Sequence, residues 1–96
     1  MNSREQLENK LRKLKPFLSE KYFVDKLGYF GSFVIGNFRE DSDIDILITL
    51  RKPIGWEFFD IEMFLEKELG RKIDLVTENA LKSQLKNIIL NQVIYV

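Results

Sequence analysis

Two aspartates at the start of one segment are the first residues of this chain that could do chemistry. Asp43 and Asp45 lie two residues apart in DIDILITL, residues 43–50, whose apolar side chains alternate as in a strand. Side chains at this spacing leave the same face of a strand, with Cα atoms roughly 6 to 7 Å apart. Two carboxylates at that separation can share hard cations, and Mg²⁺ prefers a few carboxylates together with substrate phosphates.

A third carboxylate, that of Asp74, lies in a second predicted strand at residues 72–77. If this strand neighbours the strand at 43–50, Asp74 reaches the same site as Asp43 and Asp45. Three acids arranged in this way could hold two metal ions, which stabilise the attacking and leaving oxygens of an in-line phosphoryl displacement. An acidic edge exposed to solvent is the simpler alternative, and an Asp-x-Asp pair taken alone favours it.

The pair Gly31-Ser32 could bind the phosphates that such a metal site needs. It follows a predicted strand at residues 27–30 and opens a predicted short helix at residues 32–36. Free backbone amides at the start of a helix bind anions. Glycine lets a phosphate approach the backbone closely, and the serine hydroxyl adds a donor. Taken alone, Gly-Ser after a strand is more often an ordinary turn, but the pair and the acids together could hold a metal–nucleoside triphosphate from two sides.

The elements that must position these residues alternate between helices and strands. A helix is predicted over residues 3–15, and Pro16 can begin a second helical segment. Residues 56–69 are predicted to form an amphipathic helix that Gly70 ends, and residues 80–91 are also predicted to be helical. The order is helix, strand, short helix, strand, helix, strand, helix. It predicts an α+β fold, with a small mixed β-sheet and helices packed on it in two layers.

Composition limits the chemistry and the size of the protein. The chain has 96 residues and is 45% hydrophobic, which predicts a single domain spanning residues 1–96. Because there is no cysteine and no histidine, thiolate sites, histidine-ligated metals and serine–histidine catalysis are excluded. Any catalysis must use carboxylates, hydroxyls, lysines, backbone amides or a metal ion. A domain this small is only marginally stable alone, so a partner protein or a homodimer could stabilise it.

Charge and hydropathy indicate where the protein works and what it does not bind. The formal net charge is zero, and acids exceed bases by six to three in residues 27–60, which contain most of the candidate site. Since there is no long basic stripe, we expect no direct nucleic-acid binding. No apolar run is long enough to cross a bilayer, and the polar start, MNSREQLENK, does not resemble a signal peptide. We therefore expect a cytoplasmic protein that does not enter membranes.

The order and spacing of the candidate residues resemble a known family signature. Gly31-Ser32 is followed, after ten residues, by the Asp-Ile-Asp sequence at 43–45. This resembles the Gly-Ser-x10-Asp-x-Asp signature of the DNA polymerase β-like nucleotidyltransferase superfamily. From about residue 27 to the C-terminus, the chain looks like the minimal nucleotidyltransferases, which are short proteins often paired as antitoxins with helical HEPN toxins.

This resemblance implies a role for each candidate residue. Asp43 and Asp45 would bind magnesium, with two ions expected, and Asp74 would complete the metal site and help to activate the acceptor hydroxyl. Gly31 and Ser32 would hold the triphosphate. The implied reaction is transfer of AMP from ATP, with loss of pyrophosphate, to a hydroxyl such as a tyrosine of the HEPN toxin. This modification would silence the toxin's RNase activity, and the toxin would be a separate chain encoded nearby.

One position departs from the family's pattern and keeps other functions open. Many relatives carry arginine before the second glycine of the signature, but here Ile35 precedes Gly36, and Arg39 is the nearby cation that could replace it. A first alternative is a binding antitoxin with weak or silent chemistry, which neutralises its partner by forming a complex. A second is transfer to a small molecule, as in antibiotic nucleotidyltransferases, for which a chain this short offers little acceptor pocket.

Overall fold

Alternating helices and strands build the protein around one sheet. The computed structural model describes residues 3–96, which form four α-helices, four strands and one 3₁₀ turn. The elements run in the order α1 (Arg4–Tyr22), β1 (Val24–Phe30), α2 (Ser32–Ile35), β2 (Ile44–Leu50), α3 (Glu57–Leu69), β3 (Ile73–Thr77), α4 (Ser83–Gln92) and β4 (Ile94–Tyr95). The 3₁₀ turn, Glu78–Ala80, lies between β3 and α4.

The strands form one mixed sheet in the order β3-β2-β1-β4. β2 runs parallel to β3 and antiparallel to β1, and β1 also pairs antiparallel with β4. The parallel pair is possible because α3 carries the chain back along the sheet between β2 and β3. The predicted α+β fold, a small mixed sheet with helices packed on it, is thereby confirmed.

The larger hydrophobic core lies on the sheet face that α1 and α3 cover. Ile44, Ile46 and Ile48 of β2 are fully buried on this face, as their alternation along the strand predicts. Leu11 of α1 and Leu65 of α3 are buried against them. Since burial of each such side chain contributes roughly 1.5–3 kcal/mol, this layer supplies most of the hydrophobic stabilisation.

The opposite sheet face, here called the α4 face, buries a smaller apolar cluster. Ile89 of α4 packs there against Phe30 of β1 and Leu47 of β2. Because side chains alternate along a strand, Asp45 leaves β2 on the same face as Leu47. Asp74 points the same way from β3 and is exposed, so α4 covers only part of this face.

α1 is longer than the sequence pattern predicts. The prediction that Pro16 begins a second helix is wrong, because α1 runs without interruption over Arg4–Tyr22. Proline lacks the N–H that would bond one turn back, and it usually kinks or ends a helix. Here Leu18 and Tyr22 are buried beyond the proline, and their packing offsets the lost hydrogen bond.

Other boundaries also differ from the sequence prediction. β1 begins at Val24 rather than at residue 27, and the predicted helix over 80–91 is a 3₁₀ turn followed by α4. β4 is a strand that the sequence pattern does not predict, and its pairing with β1 continues where Val96 N–H donates to Leu27 C=O at 2.9 Å. None of the helices described here is both long and apolar enough to span a membrane.

Candidate active site

The register of β2 and β3 brings two of the candidate carboxylates together. Asp45 lies directly opposite Asp74 in the parallel pair, so the predicted proximity of these strands is confirmed. Both side chains leave the sheet on the α4 face, away from the main core, so that the negative charge of Asp74 acts on Asp45. Asp43 lies just before β2, exposed to solvent, and its negative charge also acts on Asp45.

The surroundings of Asp45 disfavour its charged form. Partial burial, the negative charge of Asp74, the hydrogen bond between the two carboxyl groups and the charge of Asp43 raise the pKa of Asp45 to about 6. In the metal-free protein this pair therefore keeps a proton at pH values where an ordinary aspartate, with a pKa of 3.8, is ionised. A cation between the carboxylates would relieve the same repulsion that the proton relieves.

The oxygen ligands at this position suit a hard divalent cation. Mg²⁺ is usually held by one or two carboxylates together with substrate phosphates, so Asp45 and Asp74 provide enough protein ligands from adjacent strands. Within residues 3–96, no three acidic side chains converge into a ready-made metal cluster. The assignment of Asp43, Asp45 and Asp74 as joint ligands of two ions stays a prediction.

Gly31 connects the candidate phosphate site to Asp45. It lies between β1 and α2 with φ 73° and ψ −141°, a conformation that favours glycine. A Cβ atom at this position would lie 2.0 Å from Asp45 Oδ2, so only glycine fits beside the carboxylate. The Gly31 C=O accepts the N–H groups of Val34 and Ile35 at 3.0 and 3.1 Å and thereby begins α2. The candidate phosphate and metal sites are therefore adjacent.

Ser32, the other predicted phosphate ligand, is the first residue of α2 and is half-buried. No hydrogen bond among the residues described uses its hydroxyl, which can therefore donate to a phosphate; that role stays a prediction. Ile35, where the resemblance implies arginine in many relatives, is 64% exposed, so an apolar side chain faces solvent at this position. Arg39 lies in the exposed loop after α2, and its proposed replacement of that arginine also stays a prediction.

Gln92 is a site residue that the sequence analysis missed. It is the last residue of α4, and its side-chain carbonyl oxygen accepts the Gly31 N–H at 2.6 Å. The amide that the sequence analysis left free for phosphate is therefore engaged. No local pattern could reveal this contact, because the two residues are 61 positions apart and meet only through the packing of α4 on the sheet.

Arg71 was also missed, although it holds the loop between the phosphate site and the first aspartate. Its guanidinium donates to Arg39 C=O at 2.7 Å and to Ser42 C=O at 3.0 Å. It also lies over the Phe33 ring, 5.3 Å from the ring centroid. These contacts fix the path by which the chain enters β2, and so they help to set the position of the aspartates.

Comparison with known families decides the class of protein. Residues 11–96 match the nucleotidyltransferase domain family. The chain belongs to this family. The resemblance found in the sequence is thereby confirmed, and so is the predicted enzyme class: the protein is a nucleotidyltransferase, with a nucleotide as substrate.

This nucleotidyltransferase is similar to a protein with a more specific name and to a separate protein of solved structure. The protein adenylyltransferase MntA of Thermococcus cleftensis is 40% identical over 93 residues, which cover 96% of this chain and 94% of that protein. A solved structure provisionally assigned as a minimal nucleotidyltransferase superposes with a TM-score of 0.83 at 26% identity. That match covers 96% of this chain and 94% of the other. In each of these two comparisons, the match extends over nearly the whole of both chains.

The same fold occurs in a toxin–antitoxin complex. The structure of the tri-AMPylated HEPN toxin of Shewanella oneidensis, in complex with an MNT antitoxin, contains a chain that superposes with a TM-score of 0.68. The match covers 94% of this chain and 70% of that chain, at 19% identity. At this identity the likeness concerns the fold alone.

Proposed function

We propose that this nucleotidyltransferase is a magnesium-dependent protein adenylyltransferase that transfers AMP from ATP to a tyrosine hydroxyl of a HEPN-type toxin. It would thereby act as the antitoxin of that protein. The observation that carries the proposal is the Asp45–Asp74 carboxyl pair beside Gly31. The choice of substrate is supported by the Thermococcus cleftensis relative, which is named a protein adenylyltransferase. The choice of partner is supported by the fold alone, which also occurs in the Shewanella oneidensis complex of an antitoxin with an AMPylated HEPN toxin.

Each residue of the site has a defined part in the proposed reaction. Asp43, Asp45 and Asp74 would hold magnesium, which neutralises the triphosphate and the departing pyrophosphate. Gly31 and Ser32 would line the path of the phosphates. The acceptor hydroxyl oxygen bonds to the α-phosphorus, the bond to the α–β bridging oxygen breaks, and pyrophosphate leaves with the bonding electrons. Asp74 is the exposed member of the carboxyl pair. We therefore propose that Asp74 acts as the general base and accepts the proton that the acceptor hydroxyl loses.

Label transfer tests the proposed reaction. The purified protein and the HEPN-type protein encoded beside it are incubated with Mg²⁺ and ATP labelled at the α-phosphate, or with γ-labelled ATP as the control. We expect label on the partner from the α-position only. The Asp43→Asn/Asp45→Asn variant should lose at least about 100-fold in rate, since it removes the ligands of the charge-neutralising ion. Equal labelling by the variant would contradict the proposal.

A second candidate function is neutralisation by complex formation without transfer. It is favoured by the outer face of α3, where Trp56, Phe59 and Met63 are 83%, 53% and 66% exposed. Apolar side chains grouped on a surface in this way mark protein contacts. An RNase assay of the partner distinguishes the two functions. If binding suffices, a Trp56→Ser/Met63→Ser variant should no longer neutralise the RNase activity. The Asp43→Asn/Asp45→Asn variant should lose it only if transfer is required.

A further inference from the structure

Both polar groups of the Gly31 backbone form hydrogen bonds, and the Asp45 carboxylate lies close to its Cα atom. Its N–H donates to Gln92 Oε1 at 2.6 Å, and its C=O accepts two N–H groups of α2. The place of its missing side chain is occupied by the Asp45 carboxylate. A shift of Gly31 would therefore change the separation between the start of α2 and the carboxyl pair.

Gln92 is itself fixed on both sides along the chain. One turn before it, Ile89 is 7% exposed and packs into the cluster formed with Phe30 and Leu47. Directly after it, Val93 N–H closes the last turn of α4 on Ile89 C=O at 2.8 Å, and β4 then pairs with β1. The glutamine side chain thus extends from a rigid support towards Gly31.

The tail can reach β1 because of a second glycine. A Cβ atom at Gly28 would lie 2.8 Å from Ile94 C=O and 2.8 Å from Val93 Cγ2, so a larger residue would push β4 away from the sheet. Gly28 and Gly31 lie on either side of Phe30, where the end of α4 approaches β1. The pairing of β4 with β1 therefore places Gln92 next to the loop that follows β1.

We propose that Gln92 is a positioning residue for nucleotidyl transfer, which acts by holding Gly31 against Asp45. The role of Gln92 in transfer rests on the proposed function, whereas its hydrogen bond with Gly31 does not depend on that function. Gln92 keeps the start of α2 at a constant distance from the carboxyl pair, so the α-phosphorus and the acceptor hydroxyl meet in line. The Gly31 amide, which Gln92 engages, then takes no part in binding the triphosphate, and the Ser32 hydroxyl keeps its proposed role.

The opposite possibility is that Gln92 only occupies a phosphate position and leaves when ATP binds. The two possibilities predict opposite changes in kinetics. If Gln92 positions Gly31, its loss lowers kcat and leaves KM for ATP nearly unchanged. If phosphate displaces Gln92, its loss frees the Gly31 amide and lowers KM for ATP.

Two substitutions of Gln92 and one control separate these outcomes. Gln92→Met keeps the length of the side chain but removes the acceptor. Gln92→Glu keeps an acceptor oxygen and adds a negative charge near Asp45. Asn91→Met is the matched control, since Asn91 is the neighbouring exposed residue of α4. Hydrogen exchange of the Gly31 amide, followed by NMR, reports the contact without any activity measurement.

The expected results are specific to each variant. Gln92→Met should speed exchange of the Gly31 amide at least tenfold and lower kcat by about tenfold, with KM for ATP within threefold of wild type. Gln92→Glu should keep the Gly31 amide protected and restore most of kcat, but raise KM for ATP because its charge repels the triphosphate. Asn91→Met should match the wild type in exchange and in kinetics.

Three results would overturn the inference. A Gln92→Met protein with unchanged kcat would show that the contact does not serve transfer. A lower KM for ATP in that variant would show displacement of Gln92 by phosphate. A wild-type protein that transfers no label would overturn the proposed function and the positioning role together. In that case the exchange data would still decide whether the hydrogen bond exists.

Discussion

At the scale of single residues, partial burial and nearby negative charge both disfavour the ionised form of Asp45. Burial has the larger effect, and the carboxyl group of Asp74, which lies opposite on the adjacent strand, adds to it. A proton on Asp45 removes both costs in the free protein, and the pKa of Asp45 is accordingly raised to about 6. The proposed magnesium ion would instead neutralise both carboxylates at once.

We expect the metal-free protein to lose stability as the pH rises from about 4 to about 6, relative to an Asp45→Asn variant. The Asp45 pKa is about 6 in the folded protein and has its ordinary value of 3.8 in the unfolded chain. The folded state therefore binds the proton more tightly. The stability that this proton contributes is complete below pH 3.8 and is lost as the pH rises through 6. Urea unfolding in EDTA measures the difference, and parallel pH curves for the two proteins would contradict the pairing.

Gly31 can be tested against Gly36, which also has a positive φ but lies in the left-handed helical region, where a side chain is less strained. Gly31→Ala should destabilise the protein by about 2–4 kcal/mol, since it adds a steric conflict with Asp45 to the strain of a positive φ. Gly36→Ala has a φ of 96° but no atom within 4 Å of the new Cβ, so it should cost only about 1 kcal/mol. Urea unfolding compares the two. Equal losses would show that Asp45 moves freely away from Gly31.

At the scale of elements, alternation and glycine signals predict the parts that position the acids. β2 and β3 are recognisable from period-two patterns, and α3 ends before Gly70, which has the left-handed conformation expected of a helix stop. The signature spacing indicates that Gly31 and Asp45 belong to one site. The sequence predicts these features because they depend on neighbouring residues, or on two strands that a single helix connects.

Features that depend on tertiary packing could not be predicted in this way. β4 has two residues, too few to show an alternation, and it exists because β1 offers it a partner. The hydrogen bonds from Gly31 to Gln92 and from Arg71 to Arg39 join residues 61 and 32 positions apart. In α1, buried residues beyond Pro16 outweigh the local preference of proline to end a helix.

The proline in α1 provides a test of that last point. Pro16 is exposed, so Pro16→Ala changes little packing while restoring a backbone donor and a good helix former. We expect the restored hydrogen bond and helix propensity to raise the free energy of unfolding by only about 1 kcal/mol, because the alanine also makes the unfolded chain more flexible, which offsets part of the gain. Lys13→Ala, at another exposed position of α1, is the control. A loss of stability in Pro16→Ala would mean that the proline ring itself supports the helix.

At the scale of the whole molecule, the candidate active site lies open at one end of the parallel strands. Asp45 and Asp74 are near the starts of β2 and β3, with Asp74 exposed on the α4 face. An apolar pocket of about 430 Å³ lies instead towards the other ends of these strands, between Leu50, Phe58 and Thr77. That pocket cannot present a small acceptor to the carboxyl pair. An acceptor carried on a protein surface fits the open site better.

The sequence predicts the class of this protein but not the identity of its acceptor. The spacing of Gly31, Ser32, Asp43, Asp45 and Asp74 indicates the family, because the proposed metal and phosphate chemistry would require all five side chains or backbone groups within this chain. The acceptor hydroxyl belongs to another molecule, so nothing in these 96 residues encodes its position. The exposed outer face of α3 and the open carboxyl pair indicate only that a protein partner is expected.

The proposed transfer of AMP can be tested by measuring the mass of the HEPN-type partner after incubation with this protein, Mg²⁺ and ATP. We expect an AMP adduct on a tyrosine hydroxyl of the partner, located by peptide mapping. The adduct should be absent when Asp45→Asn replaces the wild type. An unmodified partner whose RNase activity is nevertheless neutralised by the wild-type protein would contradict the central claim. It would establish neutralisation by binding alone.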